Sequence, residues 1–190
     1  NGRGISRDIL TGMTNIEKSA SQGCIKGLFY LGMCHLKGFG VSKVDLKAAE
    51  KYLQMASEAL DNNIINVNES IVCKAIFNLA LVMEKNKKID EAAKCLRKAA
   101  ILAIKSKINF TSTVYICPEA LYCYAHYLEK GSGLPVDLDQ AQHFYKLAHY
   151  QNYDPGSLKY VKFILEGKNE KDSNQAKLLK EEAHFILKQL

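Results

Sequence analysis

The sequence predicts an all-α fold, an α-solenoid of antiparallel helical hairpins. Three observations lead there. A helical pattern of small and large apolar residues recurs four times along the chain. Gly-x-Gly turns close the first helix of two of these copies, and an Asp stands before the second helix of most of them. Repeats of roughly 20–50 residues mark arrays in which each unit buries one face against its neighbours.

The best-formed copy runs from Gly27 to Ala56. Its first helix opens on a small residue, then places a large apolar residue, a second small one and another large one behind it. These positions are Gly27, Leu31, Gly32 and His35 in the first full unit, and Ala75, Leu79, Ala80 and Met83 in the second. The third unit has Ala120, Tyr124, Ala125 and Leu128; the fourth has Gly156, Tyr160, Val161 and Ile164. Offsets of 0, 4, 5 and 8 lie on one helical face. The small pair lets another helix approach closely while the bulky residues fill the grooves beside it. Val161 departs from that pattern, so the fourth unit is expected to pack more loosely.

Each first helix then meets a stop. Gly38, Gly131 and Gly167 suit the left-handed conformation that ends a helix, and Asn86 is the expected equivalent in the second unit. Gly40 and Gly133 turn the chain back. The second helix starts after Asp45, Asp137 or Asp172, each placed as a side-chain N-cap, and eleven residues on come Ala56, Ala148 and Ala183. The second unit carries Lys87-Lys88-Ile89-Asp90 at its turn instead, but keeps Cys95-Leu96 and Ala99-Ala100.

The start of the chain matches the turn of the third unit. Gly2, Gly4, Ile5 and Asp8 align with Gly131, Gly133, Leu134 and Asp137, and the interval from Asp8 lands on Ser19-Ala20. Residues 1–23 therefore read as the second half of a repeat, and a longer array is expected upstream. Four repeats follow at 24–70, 71–115, 116–152 and 153–190, together one array of about nine helices. The periods of 48, 45 and 36 residues differ because of inserts at 62–69 and 105–115, which are expected to extend the preceding helix before looping.

Composition narrows the function classes. The net charge of +6 comes from lysines scattered over helical faces, not from a basic stripe with stacking aromatics, which disfavours nucleic acid. No apolar run approaches the ~20 residues of a membrane span. The six cysteines form no C-x-x-C pair, and no His pair supplies zinc spacing. All but Cys117 fall inside predicted helices, so they read as small packing residues. The five histidines are spread over the units, no Ser or Thr sits in a nucleophile elbow, and the Gly-x-Gly turns follow helices rather than strands. No catalytic residue, cofactor site or metal site is predicted, and the chain reads as non-enzymatic with no small-molecule substrate.

The units resemble SEL-one-like repeats, a class close to tetratricopeptide repeats. The resemblance is carried by Gly27, Leu31, Gly32, the Gly38-x-Gly40-Val41 turn, Asp45, Lys47-Ala48, Tyr52 and Ala56. In the third unit it rests on Ala120, Tyr124, Ala125, Gly131, Gly133, Asp137, Ala141, Tyr145 and Ala148. It implies a right-handed superhelix that scaffolds other proteins. Members of the class serve as adaptors in ER-associated degradation complexes, as chitin synthase activators, as accessory domains of larger signalling proteins and as secreted bacterial factors. The cysteine spacing of disulfide-laddered bacterial members is absent here.

The resemblance also implies that the first helices line a concave surface. Residues two and six after the small opener then face that groove: Phe29 and Met33, Phe77 and Leu81, Tyr122 and His126, Leu158 and Lys162. Lys26, Lys74 and Glu119 precede the openers, and Lys37, Lys85 and Lys130 stand at the far helix ends. An aromatic and aliphatic column flanked by lysines suits a partner protein or peptide with apolar anchors and acidic neighbours. The expected function is a protein–protein interaction scaffold. Two alternatives are an accessory substrate-positioning module of a ubiquitin-ligase, chitin synthase or kinase assembly, and a helical-repeat nucleic-acid binder. The sequons at Asn68 and Asn109 are compatible with the ER lumen, whereas the unpaired cysteines point to a reducing, cytoplasmic setting.

Overall fold

The computed structural model describes residues 8–59, 68–105, 117–167 and 173–189, the side chains of Lys105 and of residues 173–176 excepted. Among the described residues there are nine α-helices and no strand. They group into two compact units, Asn1–Lys88 and Ile89–Leu190.

The first unit holds α1 (Ile9–Ser21), α2 (Ile25–Lys37), α3 (Leu46–Ser57) and α4 (Glu69–Lys85). Each helix packs on the next, and α2 also touches α4. Within the repeats, α2 and α4 are first helices, and α1 and α3 are second helices. Small residues set the spacing between them. A Cβ added to Gly27 would stand 2.6 Å from the Ala20 amide nitrogen, and one on Gly32 would stand 2.8 Å from Leu53 Cγ. Ala75 and Ala80 are buried in the same way on α4.

The second unit holds α5 (Ile89–Lys105), α6 (Pro118–Lys130), α7 (Leu138–His149), α8 (Asp154–Leu165) and α9 (Ser173–Leu187). Neighbours again pack in sequence, with α6 also against α8. The buried alanines fall where the pattern put them, with Ala120, Ala125, Ala148 and Ala183 fully enclosed. Val161, the departure from the small-residue rule, is itself buried at 3 % exposure. Tyr160 beside it is stacked on His149, and its hydroxyl donates to Glu182 of α9. Lys146 of α7 reaches the same carboxylate at 3.2 Å and lies over the Tyr150 and Tyr160 rings. Burial alone lowers the pKa of Lys146, but its bonds to Tyr160, Tyr150 and Glu182 outweigh this and hold the ammonium above the ordinary lysine value.

Helix ends follow the expected chemistry with two corrections. Gly38 and Gly131 cap α2 and α6 in the left-handed conformation, at φ 72° and 69°. Asp8, Asp45 and Asp137 are N-caps whose carboxylates accept amide hydrogens of the first turn. Hydrogen bonds from the Ala48 and Lys47 amides hold the Asp45 carboxyl below its usual value. Asn86, however, does not adopt the left-handed conformation; Lys87 does, at φ 62°. The Asn86 amide instead donates to Glu50 of α3 at 2.8 Å, and Lys88 pairs with the same carboxylate. The second correction concerns Cys24, which is the exposed N-cap residue of α2 rather than a residue within a helix.

Of the remaining cysteines, Cys73 and Cys117 are buried and three are half-buried. Asn68, in the first sequon, caps α4 and accepts from the Ile71 amide, so Glu69 begins a helix rather than ending an insert. The Asn109 sequon, Asp172, the turn at Gly2–Gly4 and most of both inserts lie outside the described residues.

An Asp137→Ala variant is expected to lose about 1 kcal/mol of stability, because the Gln140 amide loses its 2.9 Å capping bond. Urea unfolding followed by circular dichroism measures this, and Asp137→Asn should recover most of it.

Candidate functional site

Second helices cover one side of each first helix, since α1 and α3 both pack on α2, and α5 and α7 both pack on α6. The positions expected to line a groove form a stripe at helical spacing on each first helix. On α2 it runs Lys26, Phe29, Met33, Lys37; on α4 it runs Lys74, Phe77, Leu81, Lys85. The lysines of both stripes are exposed, while Met33, Phe77 and Leu81 are half-buried. Phe29 differs from the other groove positions. It is only 9 % exposed and packs within the unit beside Tyr30, which is 52 % exposed and stands next to it on the helix surface. α2 and α4, which carry the two stripes, touch within the first unit.

In the second unit the stripe of α6 carries Tyr122, His126 and Lys130, and that of α8 carries Leu158 and Lys162. Tyr122 and His126 are half-buried, and Leu158 is 54 % exposed. Lys162 is open to solvent and pairs with Glu166 one turn later at 3.5 Å. α6 and α8 pack on one another.

Beneath that face lies a polar cluster the sequence did not reveal. Glu129 of α6 keeps only 6 % of its side chain exposed. Its Oε2 accepts from the Tyr145 hydroxyl at 2.8 Å and from Lys159 Nζ at 3.0 Å. Lys159 also lies over the Tyr145 ring. One carboxylate therefore ties α6, α7 and α8 together. Burial, reinforced by the bond to Glu129, pushes the Tyr145 phenol well above the ordinary tyrosine value. Nδ1 of His126 stands 3.7 Å from the same carboxylate oxygen, beyond hydrogen-bond reach. Tyr122 packs against Tyr145 in a tilted and against Tyr153 in a T-shaped arrangement, with centroids 5.7 Å apart in both pairs. Burial raises the Tyr153 phenol too, with Cys123 contributing next.

The chemistry on offer is recognition by shape, aromatic edges and exposed ammonium groups. Among the described residues no three His, Cys, Asp or Glu side chains converge to hold a metal ion. No helix among them is long and apolar enough to cross a membrane.

Comparisons with known proteins agree with this architecture. The Sel1 repeat model matches residues 1–24, 25–59, 74–103 and 118–153. A Sel1 repeat protein from Oxalobacter formigenes superposes with a TM-score of 0.68 at 19 % identity, covering 96 % of this chain and 65 % of that one. The c5321 protein, a protective antigen present in uropathogenic Escherichia coli strains and displaying an SLR fold, gives 0.68 at 20 % identity, covering 97 % of this chain. The chain spans 65 % of the first protein and 38 % of the second, and at these identities the likeness shows the fold alone. No match was found among curated protein sequences.

Proposed function

The chain belongs to the Sel1 repeat family, and on that premise we propose that it is a non-catalytic scaffold holding a partner protein or peptide along the first-helix stripes. Sel1 repeat proteins generally act as protein–protein interaction scaffolds. The observation that carries the reading is the uneven burial of the first helices. Their inward positions are sealed, whereas Met33, Phe77, Leu81, Tyr122, His126 and Leu158 stay partly open at helical spacing. Within each unit, half-exposed apolar and aromatic side chains at this spacing are the anchors that a bound segment covers.

Charge narrows the partner. Lys26, Lys37, Lys74 and Lys85 flank the apolar anchors of the first unit and favour a segment with acidic residues beside its own anchors. In the second unit Lys159 and Lys162 are answered by Glu129 and Glu166, which favours a polypeptide over a polyphosphate backbone. The six cysteines, spread along the chain without paired spacing, support a reducing compartment such as the cytoplasm.

Selection from a displayed peptide library tests the reading. Bound peptides are expected to carry aromatic or aliphatic anchors with Asp or Glu nearby. Their affinity should fall about tenfold or more in a Phe77→Ala/Leu81→Ala or a Tyr122→Ala/His126→Ala variant with unchanged circular dichroism. Folded variants that keep full affinity for every selected peptide would remove the stripes from the binding surface.

A further inference from the structure

The other side of α6 carries a second groove. Tyr124 and Leu128 lie two residues beyond Tyr122 and His126, which places them about 200° around the helix. They form the floor of a cavity of about 430 Å³ within the second unit. One wall is α5, through Ala93, Lys94 and Arg97; the other is the turn from Gly133 to Asp137. That turn is held against the start of α5, because a Cβ on Gly133 would stand 2.9 Å from the Ile89 carbonyl oxygen.

The polar groups of this groove that no protein partner engages are donors. Lys94 and Arg97 are exposed, and neither has an ion pair or hydrogen bond among the described residues. Tyr124 is buried at 6 % exposure, with its ring edge-on to Phe144 at 4.8 Å and no hydrogen-bond partner for its hydroxyl among the described residues. Two acids border the groove: Asp137, whose oxygens accept from the Gln140 amide and side chain, and Asp90 of α5, whose carboxylate would stand 3.1 Å from a Cβ on Gly133. Beside these donors lie the aliphatic side chains of Leu134 and Val136, the latter 59 % exposed. Two free cations and a phenol donor next to an aliphatic rim complement a carboxylate with an apolar neighbour.

We propose that this groove is a second docking site, which takes an acidic side chain of a partner peptide together with the aliphatic residue next to it. Arg97 and Lys94 hold the carboxylate from the α5 side, Tyr124 donates to it from the floor, and Leu134 and Val136 cover the aliphatic group. The site is independent of the Tyr122–His126 stripe, so a scaffold of this kind engages two segments at once, one on each side of α6.

The test is fluorescence anisotropy with the full chain and a labelled octapeptide of alternating Glu and Leu, beside matched Gln/Leu and Lys/Leu peptides. The Glu/Leu peptide is expected to bind, more weakly as salt rises, and the other two to bind at least several-fold less well. Lys94→Glu/Arg97→Glu should weaken it about tenfold and Tyr124→Phe about threefold, the charge reversal by more than Tyr122→Ala does. Circular dichroism checks that each variant is folded. No binding of the Glu/Leu peptide, equal binding of the Gln/Leu peptide, or full affinity in the charge-reversed variant overturns the proposal. Binding that Tyr122→Ala abolishes and charge reversal on α5 spares also overturns it, and assigns the peptide to the stripe.

Discussion

A Glu129→Ala variant is expected to lose about 3 kcal/mol of stability, the largest single effect in the second unit. The carboxylate is nearly enclosed and receives hydrogen bonds from Tyr145 and Lys159. Its removal strands the hydroxyl of Tyr145, a residue with no exposed surface, and leaves Lys159 without its counter-ion. A buried donor left unmade costs more than a typical hydrogen bond contributes. Glu129→Gln keeps an acceptor for Tyr145 and should lose about half as much. Tyr145→Phe removes the donor and its need together and should cost about 1 kcal/mol. The same pair gives a pH signature. The Tyr145 phenol is raised above the ordinary value of 10.0 in the folded chain, so its contribution is intact below pH 10 and is lost as pH rises beyond it. Tyr145→Phe should flatten that alkaline decline. Urea unfolding at neutral and alkaline pH measures both effects.

A Gly27→Ala variant is expected to destabilise the first unit by about 2 kcal/mol, although alanine is the better helix former by about 1 kcal/mol. The added Cβ would stand 2.6 Å from the Ala20 amide nitrogen and 2.7 Å from the Ser19 carbonyl carbon. These are backbone atoms of α1, which no rotamer change can move aside, so the two helices must separate. Gly12→Ala supplies the comparison. That glycine is inside α1 with nothing within 4 Å of its added Cβ. The same substitution there should stabilise the chain by about 0.5–1 kcal/mol. Opposite signs at the two positions would locate the effect in the α1–α2 approach; a loss at both, or at neither, would not.

The parts of the fold that were legible in the sequence are those set by local volume and local hydrogen bonding. Small residues at Gly27, Gly32, Ala120 and Ala125 announce a close helix, because only side-chain size at that point decides the approach. Asp45 and Asp137 announce helix starts, because each caps amides two or three residues away. What was not legible depends on partners far along the chain. Asn86 looked like a left-handed cap, but its side chain is engaged by Glu50, 36 residues earlier, and the positive φ passes to Lys87. Cys24 was expected within a helix, yet Gly23 takes a left-handed turn and α2 starts at Ile25, leaving Cys24 as its N-cap.

The candidate site divides in the same way. Helical spacing picks out the stripe positions, but periodicity does not say how deep each one lies, and Phe29 is covered where Phe77 stays half open. The cluster beneath the second-unit stripe joins Glu129 to residues 16 and 30 positions away, and no local pattern marks it. The groove beside Tyr124 was likewise hidden, since its cations and its phenol come from different helices.

The central claim is that partners bind along the first-helix stripes. The most direct measurement is photo-cross-linking of a library-selected peptide to the full chain, with benzoylphenylalanine placed in turn at six exposed or half-exposed apolar positions. Three are on the stripes, Met33, Leu81 and Leu158; three are on second helices, Met55, Ile101 and Leu178. Adducts are expected from the stripe positions and not from the second-helix positions. Adducts from Met55, Ile101 or Leu178 with none from the stripes would contradict the claim.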